Sequence, residues 1–235
     1  MQDNFIHKFQ LLRLLSEIVD NPTLSQNIYF KGGTCAALLG YLDRFSVDLD
    51  FDLKKGSDTF KLRKEFTSIF KNNDLVISNK NEKTLFFELK YQAPLGKRNT
   101  IKLSIYEDII MTNVYKPVFL PEIDRLVNCQ TIETMFANKL VAPVDRFQKH
   151  QAIAGRDIYD IHYFFSQGYK FKKEIIEERT KIDIQNYVKI LIDFIEKEIN
   201  ETNISQDLNA LLPNDKFQKI RKTLKIEVLI FLRSL

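Results

Sequence analysis

Between residues 47 and 52 apolar and charged side chains alternate without a break. Val47, Leu49 and Phe51 fall on one side of an extended chain, and Asp48, Asp50 and Asp52 on the other. That period predicts a half-buried strand. Upstream, N-I-Y-F predicts a short strand running into K-G-G-T and then a small-residue helix, A-A-L-L-G-Y-L. Earlier still, Phe5, Phe9, Leu12, Leu15 and Val19 recur at helical spacing, and Asn21-Pro22 ends that helix. Residues 58–70 again read as helix. D-L-V-I-S, K-T-L-F-F-E-L-K-Y and N-T-I-K-L-S-I-Y are rich in β-branched and aromatic residues, with turn chemistry at Asn79 to Asn81 and Pro94 to Asn99 between them. The pattern predicts a mixed sheet of four or five strands.

After Pro121 the period becomes helical. I-E-T-M-F-A-N-K-L-V-A, G-R-D-I-Y-D-I-H-Y-F-F, I-Q-N-Y-V-K-I-L-I-D-F-I-E-K and K-F-Q-K-I-R-K-T-L-K-I-E-V-L-I-F-L are the candidate helices, and residues 170–181 read as a charge-rich surface stretch. A boundary near residue 128 follows, with an α/β domain over 1–128 and a helical domain over 129–235.

Composition narrows the class of protein. The chain has 235 residues, 44% hydrophobic and 28% charged, which suits a folded globular protein. A net charge of +4 is compatible with an anionic partner without requiring one. Cys35 and Cys129 have no paired spacing and there are three histidines, so no zinc signature is present and a reducing compartment fits. The N-terminal segment carries charges throughout and lacks an apolar signal core, and no later run is long enough to span a bilayer. The expectation is a cytoplasmic protein with no membrane contact.

The aspartates then pose a chemical problem. Residues two apart on a strand point the same way, about 7 Å from one another, so Asp48 and Asp50 form a pair of like charges facing one space. A hard divalent cation removes that conflict, and Mg²⁺ is usually held by one or two carboxylates together with phosphate oxygens and water. Gly32-Gly33-Thr34, just before a helix, supplies closely approachable backbone, N–H groups and a hydroxyl for an anion. The two features together suit a nucleoside triphosphate whose phosphates bridge protein N–H groups and Mg²⁺. Taken alone, the alternating strand also fits a sheet edge blunted by aspartates.

G-G-T followed by D-L-D on a strand resembles the signature of the polymerase-β-like nucleotidyltransferase superfamily. K-G-G-T-C-A-A-L-L with R-F-S-V-D-L-D-F is similar to the AbiEii toxin branch, and N-K-L-V-A-P-V-D-R with G-R-D-I-Y-D-I resembles its C-terminal pair of motifs. The resemblance implies an α/β nucleotidyltransferase-like mixed sheet with flanking helices plus a C-terminal helical module. It also implies an NTP-dependent nucleotidyltransferase that uses Mg²⁺, the toxin of a toxin–antitoxin pair, with an RNA such as tRNA or a protein as acceptor and a cognate antitoxin as partner.

Carried over by residue, Gly32, Gly33 and Thr34 would cradle the triphosphate and Asp48 and Asp50 would hold metal. Lys139 would contact phosphates, and Asp157 would sit near the reacting hydroxyl. The triphosphate is then expected in a cleft between the two modules. Lys139, Arg146 and Arg156 are cations suited to a polyphosphate. Without the resemblance, Lys139 and Arg146 read as a solvated helix face and Arg156 with Asp160 as an i,i+4 pair. One departure stands out: where many members place a third carboxylate, I-K-L-S-I carries Ser104, with Glu88 or Glu107 as substitutes and Glu88 equally a cross-strand partner of a lysine. A binding module of the same fold and a kinase-like phosphoryl transferase are the alternatives. Cys35, His150 and His162 read as packed or surface residues, and Lys216, Lys219, Arg221, Lys222 and Lys225 as a solvated basic helix face that could also meet RNA.

Overall fold

A computed structural model describes residues 5–235; Asp3 and Asn4, which open the charged N-terminal segment, lie outside that range. The chain divides into two compact units. The first comprises residues up to Gly40, Ser46–Ile109 and Tyr115–Gln130; the second comprises Tyr41–Phe45, Ile110–Val114 and Thr131–Leu235.

The first unit contains helices α1 (Phe5–Asp20), α2 (Pro22–Ser25), α3 (Gly32–Leu38) and α4 (Thr59–Asn72). Its strands are β1 (Ile28–Lys31), β2 (Leu49–Leu53), β3 (Val76–Asn81), β4 (Leu85–Lys90), β5 (Thr100–Tyr106), β6 (Tyr115–Leu120) and β7 (Arg125–Gln130). The strands form one mixed sheet in the order β3-β4-β5-β2-β1-β7-β6. β1 runs antiparallel to β2, and β2 parallel to β5. The sheet is larger than the pattern predicts because β6 and β7 add a hairpin. Pro117 sits on its outer strand, at the sheet edge where a missing N–H is tolerated.

Strand register sorts the side chains into two faces. Phe30, Phe51, Leu103, Phe87 and Cys129 are buried on one, where Phe66 and Phe70 of α4 pack against Phe87. The other face carries Ser104, Asp50, Asp52, Lys31, Gln130 and Tyr115 in neighbouring register positions. A sheet apolar on one side and polar on the other is how an alternating sequence places chemistry next to a rigid core. Helix α1 differs from its predicted stripe: Phe5 and Phe9 are exposed, and the buried arc is His7, Leu11, Leu14, Leu15 and Ile18. The sequence there has more apolar residues than one helix face can bury, and the leucines further along take the core positions.

The second unit holds α5 (Ile132–His150), α6 (Gly155–Ser166), α7 (Lys173–Thr180), α8 (Ile184–Glu198), α9 (Glu201–Leu208) and α10 (Asn214–Arg233). The charge-rich stretch at 170–181 is largely helical, since Ile175 and Ile176 of α7 are buried. No helix among the described residues is long and apolar enough to cross a membrane.

Candidate active site

In the first unit the chain turns from β1 into α3 at Gly32, which adopts φ +79°, a left-handed conformation open to glycine and strained for other residues. Asp50 crosses directly over this turn. A Cβ placed on Gly32 would lie 2.7 Å from Asp50 Oδ2, so glycine is needed for shape as well as for backbone freedom. Lys31 and Asp50 are cross-strand partners, which fixes the carboxylate beside the turn. Gly33 and Thr34 follow in the first turn of α3, where N–H groups have no partner within the helix.

Thr34 is buried, and its hydroxyl lies 2.5 Å from the Asp48 carbonyl and 2.9 Å from Ser46 Oγ. A carbonyl can only accept, so Thr34 donates to Asp48 and Ser46 donates to Thr34. The threonine therefore ties the turn to the chain entering β2. Asp48 stands one residue before the first paired residue of that strand, and the strand period puts it on the same side as Asp50.

The donor set suits a hard divalent cation, because Asp48 and Asp50 offer oxygen alone and Asp50 stands against the Gly32 turn. Among the described residues no group of three or more His, Cys, Asp or Glu could hold an ion unaided, so phosphate oxygens and water would complete the shell. Asp52, the third aspartate of the alternating series, is engaged elsewhere. It accepts from Lys31 Nζ at 2.6 Å, Tyr115 Oη at 2.8 Å and Gln130 Nε2 at 2.7 Å, while Lys31 also lies over the Tyr106 ring. Ser104 is the register neighbour of Asp50, Glu88 pairs with Lys102 at 3.4 Å, and Glu107 is exposed just past β5.

In the second unit Lys139 is the centre of an alternating chain of charges. Its Nζ lies 2.8 Å from Asp157 Oδ1 and 2.8 Å from Asp160 Oδ2. Arg44 grips Asp160 with two nitrogens, at 2.5 and 2.7 Å, and Arg146 reaches Asp157 Oδ2 at 3.1 Å. Both carboxylates are fully buried, whereas the Lys139 side chain keeps 18% of its surface exposed. Of its three N–H donors two are taken, leaving one. Burial pulls the Lys139 pKa down, but the adjacent Asp157 and Asp160 charges outweigh it and hold the ammonium above the ordinary lysine range. Burial pushes Asp157 up, and Lys139 and Arg146 overcome it, so the carboxylate stays ionised far into the acid range.

Local structure explains why Lys139 sits where it does. Helix α5 is capped by Thr131 and continues through Pro143, whose missing N–H would have bonded the Lys139 carbonyl one turn back. Side chains serve the carbonyls on either side: Arg179 donates to that of Asn138 at 3.3 Å and Tyr187 to that of Leu140 at 3.1 Å. The helix thus carries its proline through a reinforced turn.

Gly32, Gly33, Thr34, Asp48 and Asp50 come together in the first unit, and Lys139, Arg146 and Asp157 in the second. Asp157, expected beside a reacting hydroxyl, is instead sealed in with both oxygens on cations. Asp160 binds Arg44 and Lys139 rather than serving Arg156 as an i,i+4 partner; Arg156 uses its backbone N–H on Asp207. Arg44 and Asp160 join this cluster without any site role expected of them from the sequence, although both lie inside the motifs R-F-S-V-D-L-D-F and G-R-D-I-Y-D-I. Cys35 is a buried free thiol, His162 bonds Glu227, and His150 is exposed at the end of α5.

Comparison with known proteins bears on the fold and the family. A solved Helicobacter pylori protein, JHP933, matches with 21% identity over 100% of this chain and 94% of its own, at a TM-score of 0.58. The MenT4 nucleotidyltransferase toxin of Mycobacterium tuberculosis matches with 14% identity over 99% of this chain and 85% of its own, also at 0.58. At such identities these likenesses speak for the fold. No curated protein matches the chain at a significant level. The family model described as the nucleotidyl transferase AbiEii toxin of type IV toxin–antitoxin systems spans residues 13–228, and this chain belongs to that family of nucleotidyltransferase toxins.

Proposed function

We propose that this nucleotidyltransferase moves a nucleotide from a nucleoside triphosphate held with Mg²⁺ at the Gly32–Asp50 turn to an acceptor hydroxyl on an RNA such as tRNA, or on a protein. The observation that carries the reading is the Asp50 carboxylate close against Gly32, which supports a metal ligand beside a phosphate-binding turn. Nucleotidyltransferases of this kind generally use a divalent metal; bound here, it would neutralise phosphate charge and polarise the reacting phosphoryl group. Asp48 and Asp50 would hold it, and the backbone of Gly32 and Gly33 would bind phosphate oxygens.

The acceptor oxygen attacks the α-phosphorus, the bond from that phosphorus to the bridging oxygen of pyrophosphate breaks, and the hydroxyl proton leaves to solvent. Lys139, with one N–H to give and a charge kept on by two carboxylates, is suited to phosphate oxygens that gain charge. Asp157 serves by holding that ammonium. Arg146, partly exposed beside Asp157, supplies a second cation. A cytoplasmic location and a cognate antitoxin, both expected from the sequence and family, go with this proposal.

Kinase-like transfer of the terminal phosphoryl group and simple nucleotide binding are the competing readings, and the products separate them. The protein is incubated with Mg²⁺, total cellular RNA and each nucleoside triphosphate labelled in turn at the α or γ position. Nucleotidyl transfer predicts α-label in RNA or protein and release of γ-labelled pyrophosphate. Nucleoside diphosphate with γ-label on the acceptor would establish phosphoryl transfer instead, and no turnover with any of the four would leave a binder.

A further inference from the structure

We infer that His7, on α1 and outside every motif quoted above, is a positioning residue for Asp48; the inference rests on the proposed metal role of that aspartate. Asp48 precedes the paired part of β2, so sheet hydrogen bonds do not fix its backbone. Two side chains do so instead. His7 Nε2 donates to the Val47 carbonyl at 2.9 Å, and the Thr34 hydroxyl donates to the Asp48 carbonyl. A carbonyl and the following N–H belong to one rigid plane, so these bonds hold the peptide on each side of the Asp48 Cα. With both planes held, φ and ψ of Asp48 are set, and with them the direction of its Cα–Cβ bond.

The imidazole is built for this task. His7 is 1% exposed, and the Tyr91 hydroxyl lies 2.7 Å from Nδ1 and fixes the ring plane from the far side. With Nε2 as the imidazole's one donor, the Tyr91 hydroxyl donates to Nδ1, and its single proton is shared with the Arg98 carbonyl 2.8 Å away on the β4–β5 connection. An apolar residue here would leave the Val47 carbonyl and the Tyr91 hydroxyl without this partner. A buried histidine whose donor is spent on the residue next to a metal ligand is instead the kind of outer partner that orients first-shell groups.

The test reads metal binding directly, by Mn²⁺ electron paramagnetic resonance with a non-hydrolysable nucleoside triphosphate present. Hydrogen exchange of the 46–49 segment serves as a readout that needs no metal. His7→Phe removes the donor, His7→Gln keeps one, and Leu11→Ala on the same helix supplies a purely structural loss of stability. The expected result is weaker Mn²⁺ binding in His7→Phe by about ten- to a hundredfold, the range for lost outer-shell partners. Partial recovery in His7→Gln, little change in Leu11→Ala and faster exchange at 46–49 in His7→Phe alone complete the expectation. Wild-type affinity and exchange in folded His7→Phe, or equal losses in His7→Phe and Leu11→Ala, would overturn the inference. Were Asp48→Ala to bind Mn²⁺ like the wild type while His7→Phe still loosened the segment, the metal reading would fail and the backbone role of His7 would stand.

Discussion

The carboxylate of Asp50 comes within 2.7 Å of where the first side-chain atom of any residue other than glycine at position 32 would stand. One contact therefore joins the glycine turn and the aspartate strand, and it can be broken from either side. Gly32→Ala combines a left-handed φ with a 2.7 Å clash, and we expect a stability cost of about 1–3 kcal/mol. The loss of Mn²⁺ affinity should be out of proportion to it, because the residue displaced is Asp50. Thermal melts and metal titrations of the same preparation make the comparison; a destabilised variant with wild-type metal affinity would separate the turn from the metal.

Asp160 and Arg146 lie at different depths in the second unit and should respond differently to removal. Asp160→Ala strands the buried Arg44 guanidinium and is expected to cost about 3–5 kcal/mol. Arg146 is partly exposed and its loss leaves Asp157 still paired with Lys139, so Arg146→Ala should cost about 1 kcal/mol. Urea unfolding midpoints rank the two.

Gly155 opens α6 where the α9 backbone comes closest. A Cβ there would stand 2.7 Å from both the Asn203 carbonyl oxygen and the Ile204 Cα. Neither can swing aside as a side chain would, so Gly155→Ala should lower stability by about 1–3 kcal/mol. Faster hydrogen exchange confined to α6 and α9 is the signature expected.

His7 also gives stability a pH dependence. Burial lowers its pKa, Arg98 assists, and the Val47 carbonyl and Asp48 oppose, with a net depression below the ordinary value. A depressed histidine binds its proton more readily when unfolded. Its contribution is therefore fully present above the unfolded value of about 6.5 and is lost as pH falls toward the folded one. Melting temperatures between pH 7.5 and 5.5 should fall more steeply in wild type than in His7→Gln.

The sequence made the candidate site of the first unit readable because strand period and glycine turn are local signals. Asp48, Asp50 and Gly32 needed no tertiary knowledge to be seen as a group. The ladder Arg44–Asp160–Lys139–Asp157–Arg146 was legible only in part. Lys139, Arg146 and Asp157 came from the motif resemblance, whereas the pairing of Arg44 with Asp160 spans more than a hundred residues and leaves no periodic trace. His7 was hidden for another reason: it sits in an apolar helix whose visible pattern favoured Phe5 and Phe9, and only packing decides which arc is buried. The β6–β7 hairpin escaped because prolines at 117 and 121 suppress a strand reading that an edge position permits.

The proposed transfer depends on Asp48 and Asp50, and removing either one is its sharpest test. Asp48→Ala and Asp50→Ala should each abolish incorporation of α-labelled nucleotide into acceptor while leaving the fold intact. Without metal, each variant should still melt cooperatively, so that lost incorporation reports on chemistry rather than on unfolding. Incorporation at the wild-type rate by a well-folded Asp48→Ala protein would contradict the mechanism.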